Sequence, residues 1–117
     1  MKKTLIFISI LCVVISCSKS GSGSNPTPAP LDCGENIKSF ATDVNPIIQT
    51  FCAFNAGCHN AGSNNGPGEL LKYSQVFSAR LAIRAAVSSG RMPLNSSLSL
   101  AQKNAIICWI DNGAPEN

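Results

Sequence analysis

The sequence predicts a small all-α domain, and three observations carry that prediction. Three windows repeat apolar residues at spacings of three and four, the period of a helix with one buried face. No run in the domain alternates apolar and polar residues as a half-buried strand does. Between the windows lie stretches rich in Gly, Asn, Ser and Pro, which favour turns and loops. A chain of 117 residues has room for one such domain, assigned here to residues 32–117.

What precedes the domain differs in composition. Met1-Lys2-Lys3 is a short basic start, and Thr4 to Ser16 is an apolar run too short to cross a bilayer comfortably. Residues 1–16 therefore read as a secretion signal that is removed. The run closes on Val14-Ile15-Ser16-Cys17, which resembles the lipobox of bacterial lipoproteins and makes Cys17 the expected lipidation site. Several acyl chains at about 0.8 kcal/mol per buried methylene hold a protein at a membrane without a spanning helix. Residues 17–31 then supply Ser, Gly and Pro in a flexible tether.

The first helix is expected from Phe40 to Phe51, with Thr42 or Asp43 as N-cap and Pro46 tolerated in the opening turn. Val44, Ile47, Ile48 and Phe51 form its buried face. Gly57 to Gly68 has no apolar period, and so long a loop in so small a domain is expected to wrap around something. The middle helix is expected from Ser74, its N-cap, to Val87, with Gly90 just past its end. Phe77, Leu81 and Arg84 share one side of it, and Val76, Ile83 and Val87 share another. Arg91 to Leu94 leaves as an extended segment, because Pro93 biases Met92 away from helical angles. Ser99 and Gln102 are spaced as a capping box that opens the last helix, and Gly113 stops it. Ile106, Trp109 and Ile110 form its buried stripe, with Cys108 on a neighbouring face.

Charge excludes one function class. The formal net charge is +3, and Lys2 and Lys3 lie in the segment expected to be removed, so the mature chain is nearly neutral. No basic stripe with interleaved aromatics is present, and nucleic acid is not an expected partner.

Chemistry concentrates in Cys52-Ala53-Phe54-Asn55-Ala56-Gly57-Cys58-His59, where a cysteine directly precedes the only histidine of the chain. In covalent haem attachment two cysteine thiols add to the porphyrin vinyl groups, and the adjacent histidine ligates the iron. The usual motif places two residues between the cysteines, whereas Cys52 and Cys58 are separated by five. Three extra residues must bulge outward, and Ala53, Ala56 and Gly57 are small enough to permit that.

Four landmarks in order extend the pattern: Asp43 to Ile48, Cys52 to His59, Arg91-Met92-Pro93, and Trp109 to Ala114. Together they resemble a family of exported bacterial cytochrome c-like domains, many of which are lipoproteins. The resemblance spans nearly the whole domain and implies three main helices with long haem-wrapping loops. It implies haem c as cofactor, with His59 as proximal iron ligand and Met92, from a late loop, as the distal one. A thioether ligand raises the reduction potential and fills the sixth position, which suits electron transfer. The implied partners are other redox proteins of the cell envelope of a Gram-negative bacterium and, through the lipid anchor, the membrane.

Export places the remaining cysteines where disulfides persist, and Cys33 and Cys108 most simply pair with each other. Arg91, next to Met92, is the candidate partner for a haem propionate, and Arg84 reads more readily as surface charge. Trp109 packs against the ring or anchors its helix; the sequence leaves both open. Blue copper needs two histidines, and a zinc site needs cysteines in close pairs, so neither is favoured. No residue set suggests a small-molecule substrate or bond-breaking chemistry, and the chain is not expected to be an enzyme. The alternative is a haem-free structural or binding lipoprotein module, held by Cys52–Cys58 and Cys33–Cys108 disulfides.

Overall fold

The computed structural model describes residues 31, 33–34 and 37–117. The signal segment, Cys17 and most of the tether lie outside the described residues. Among the described residues the structure is helical, with three main helices and no strand, and no helix is long and apolar enough to cross a membrane.

Helix α1 is continuous over residues 40–52 and has three parts: a wide π-helical turn Phe40–Val44, an α-helical turn Asn45–Ile47, and a second π turn Ile48–Cys52. The wide turns are seen in bonds that reach back five residues, from Val44 N–H to Ser39 carbonyl at 3.2 Å and from Ala53 N–H to Ile48 carbonyl at 2.8 Å. Its N-cap is Ser39, whose hydroxyl accepts from the Thr42 N–H, and not Thr42 or Asp43. Asp43 instead reaches back to accept the Ser39 N–H at 2.8 Å. The remaining free donors at this end find Asn117: Phe40 N–H meets its side-chain oxygen at 2.9 Å and Ala41 N–H its carbonyl at 2.9 Å. Unpaired N–H groups of a first helical turn need such acceptors.

Helix α2 spans Tyr73–Ser88 and starts one residue before the expected cap. Lys72 holds the N-cap position because Gln75 does the capping: its Oε1 accepts the N–H groups of Leu71 and Lys72, each at 2.9 Å. Of the two sides read from the sequence, Val76, Ile83 and Val87 face the core, whereas Leu81 is 70% exposed. Helix α3 spans Leu100–Asp111 and opens on the expected capping box, with Ser99 and Gln102 exchanging bonds of 3.2 and 2.8 Å. Gly113, at φ +92°, ends it as only glycine does easily.

The core lies where α3 crosses α1 and α2. Val44, Ile48, Val76, Val87, Ile106 and Trp109 are fully buried, and full burial of a large apolar side chain is worth about 1.5–3 kcal/mol. Trp109 anchors the helix: its ring sits 5.5 Å from Phe40 and 6.3 Å from Tyr73, and its Nε1–H donates to the Pro115 carbonyl at 2.9 Å. Tyr73 closes the same cluster, edge-on to Phe40 at 5.2 Å, with its hydroxyl donating to Ala114. Cys33 and Cys108 form a disulfide, which fastens the entry of the domain to the buried face of α3.

Candidate functional site

A cavity of about 800 Å³ opens beside α2, in the upper part of the range usual for cofactor sites, roughly 300–1,000 Å³. One wall is α2, where Ala82, Ile83, Ala86 and Val87 present short or branched apolar side chains. A second comes from the end of α1 and the chain after it, with Phe51, Cys52, Phe54, Cys58 and His59. The segment Arg91 to Leu94 closes the third side. The five residues predicted as cofactor-binding, Cys52, Cys58, His59, Arg91 and Met92, thus line one cavity. Arg91 is the one charged residue among its lining.

His59 is placed by three bonds. Its N–H donates to the carbonyl of Cys52, the last residue of α1, at 3.0 Å, and its own carbonyl accepts the Leu70 N–H at 2.8 Å. Its Nδ1 lies 2.8 Å from the carbonyl oxygen of Gly68. A carbonyl only accepts, so Nδ1 carries the proton and Nε2 keeps its lone pair. Among the described residues nothing bonds to Nε2, and the ring is 8% exposed and lines the cavity. This is the arrangement in which a metal-binding imidazole is oriented by its other nitrogen.

The loop that carries these groups is tied to itself. Ser63, a buried residue, donates its hydroxyl to the Cys58 carbonyl, and Asn65 donates to the Gly57 carbonyl at 2.9 Å. Glu69 accepts from the Gly62 N–H at 2.7 Å and from Gln75 at 3.0 Å, which holds its carboxyl below the usual range and links the loop to α2. Gly68 itself has φ +84°, a conformation that side chains rarely adopt, and this turn aims its carbonyl at the histidine.

Cys52 and Cys58 are both free thiols, in contrast to Cys33 and Cys108. Cys52 is buried, and burial first and the neighbouring Cys58 second push its thiol up to about 11. Among the described residues no three His, Cys, Asp or Glu side chains come together to hold a metal ion. A metal in this cavity therefore takes at most part of its ligand set from such groups. A porphyrin-bound iron brings four ligands of its own, and His59 with the Met92 sulfur would suffice for the rest. The residues present fit that group: free thiols, an imidazole with an open Nε2, a soft sulfur, one cation and apolar walls.

Two residues weighed in the sequence lie outside the cavity. Arg84 is not a cavity residue; its guanidinium forks onto Asp111 of α3 with bonds of 2.6 and 2.8 Å, which holds the Asp111 carboxyl below its usual range. Trp109 also stands outside the cavity lining, in the aromatic cluster behind it. Conversely, the sequence reading missed Phe54, Gly68, Ala82, Ala86 and Leu94. The alanines carry a legible signal, since they extend the Ile83 and Val87 face by helical spacing, but a backbone carbonyl such as that of Gly68 carries none.

Compared with protein families, with curated proteins and with solved structures, the chain finds no match.

Proposed function

We propose that this protein is a membrane-tethered, monohaem c-type cytochrome-like electron carrier. The observation that supports this most is the convergence of Cys52, Cys58, His59, Met92 and Arg91 on one cavity from two separate parts of the chain, residues 52–59 and 91–92. Bound haem supplies a one-electron redox centre. The protein's part is ligation, burial and charge. His59 would hold the iron through Nε2, with Nδ1 bonded to the Gly68 carbonyl to orient the ring. Met92 supplies a thioether from the facing segment, where its N–H is held by the Ala86 carbonyl at 3.2 Å. Cys52 and Cys58 provide the thiols for covalent attachment, and Arg91 pairs with a propionate. Ile83, Ala86 and Val87 exclude water from the macrocycle.

His59 and Met92 would together hold the haem iron, which suits electron transfer. The protein acts by passing electrons between larger redox proteins of the cell envelope. Cys17 is the proposed lipid anchor and residues 17–31 the tether.

The test is spectroscopic. Exported from a host with haem-attachment machinery, the protein should give a c-type absorption spectrum that survives acid extraction. Met92→Ala should lower the potential and abolish the sulfur-to-iron absorption band; an unchanged spectrum would remove Met92 from the ligand set.

A further inference from the structure

The five residues between Cys52 and Cys58 are not slack. Ala53 is buried at 2% exposure with its N–H on the Ile48 carbonyl, and the Asn55 carbonyl receives both the Cys58 N–H at 3.0 Å and the Asn60 N–H at 3.1 Å. The two ends of the bulge are joined by the bond from His59 N–H to Cys52 carbonyl. An ordered turn of this kind gives its one large side chain a fixed place. That side chain is Phe54, which lines the cavity and is nonetheless 57% exposed. Leu94, two residues after Met92, has the same double character at 63% exposure. Large apolar groups at the mouth of an apolar cavity expose area that an occupant of the cavity would cover.

Resting on the haem reading, we infer that Phe54 is a haem-contact residue, and that the expanded spacing serves to set this ring against the haem edge and shield it from water. Excluding water disfavours the oxidised iron, which carries one more positive charge, so the shield raises the reduction potential. Leu94 covers the mouth from the methionine segment.

The test compares reduction potentials of the haem-loaded wild type, Phe54→Ala, Phe54→Leu and Leu81→Ala. Phe54 is exposed, so its truncation leaves the core intact, and Leu81 is a still more exposed apolar residue outside the cavity lining. Phe54→Ala should shift the potential downward, Phe54→Leu should recover much of that shift, and Leu81→Ala should match the wild type. As a second readout, chymotrypsin should cut after Phe54 in haem-free protein and be blocked there once haem is attached. A wild-type potential for Phe54→Ala, or equal shifts for Phe54→Ala and Leu81→Ala, would overturn the inference while leaving the haem reading intact. A wild-type protein that takes up no haem would overturn both.

Discussion

The Nδ1 atom of His59 and the carbonyl oxygen of Gly68 stand 2.8 Å apart, nine residues along the chain. That bond decides which ring nitrogen carries the proton and therefore which one faces the cavity. It depends on a backbone conformation that Gly68 adopts easily and other residues do not.

Gly68→Ala should accordingly act on stability and on the histidine together. An added Cβ meets open space apart from the Ser63 carbonyl at 3.5 Å, so the penalty comes from the positive φ. The expected loss is about 1 kcal/mol or more, read by urea unfolding. A variant as stable as the wild type would mean that the positive φ at Gly68 carries no cost.

The Cys33–Cys108 bridge is the larger stabiliser. It closes a separation of 75 residues, for which the chain-entropy model gives about 4.5 kcal/mol, an upper figure. A domain this small has a limited core. Cys33→Ser should therefore lower the unfolding midpoint markedly, and reduction of the wild type should reproduce the effect. Coincident unfolding curves for oxidised and reduced protein would contradict this.

Alkaline pH should destabilise the haem-free, thiol-reduced protein through Cys52. Its thiol is raised from 9.0 to about 11 in the fold. Between those values the unfolded chain has released a proton that the folded chain retains, so rising pH favours unfolding. The contribution is negligible well below pH 9, and the loss levels off above pH 11 at about 3 kcal/mol. Cys52→Ala should flatten this part of the stability profile relative to the wild type. Parallel profiles would show that Cys52 is not desolvated.

The helices were legible because the period of their apolar residues is a local property: Val44 and Ile48, Ile83 and Val87, and Ile106 and Ile110 mark the faces that become buried. Their starts were less so. Thr42, Asp43 and Ser74 all have capping side chains, but Ser39 caps α1, Asn117 takes its remaining donors, and Gln75 serves α2. Ser39 and Gln75 bond within four residues and lie inside a short window, whereas Asn117, 77 residues from Phe40, leaves no trace there. The sequence did separate Arg84, read as surface charge, from Arg91, read as the cavity candidate, but not the partner of Arg84. Both carry a guanidinium, and only the packing of α2 on α3 brings Asp111 to Arg84 and leaves Arg91 at the cavity. Cysteines and the histidine were legible as a site because adjacent residues announce their own spacing, whereas Phe54 gains its meaning from the turn around it.

Intact mass tests the central claim most directly. Wild-type protein, exported by a host that attaches haem and then stripped with acid, should keep the mass of one haem bound to the peptide that contains Cys52 and Cys58. A colourless product from that host, with a peptide of unmodified mass, would contradict the haem assignment.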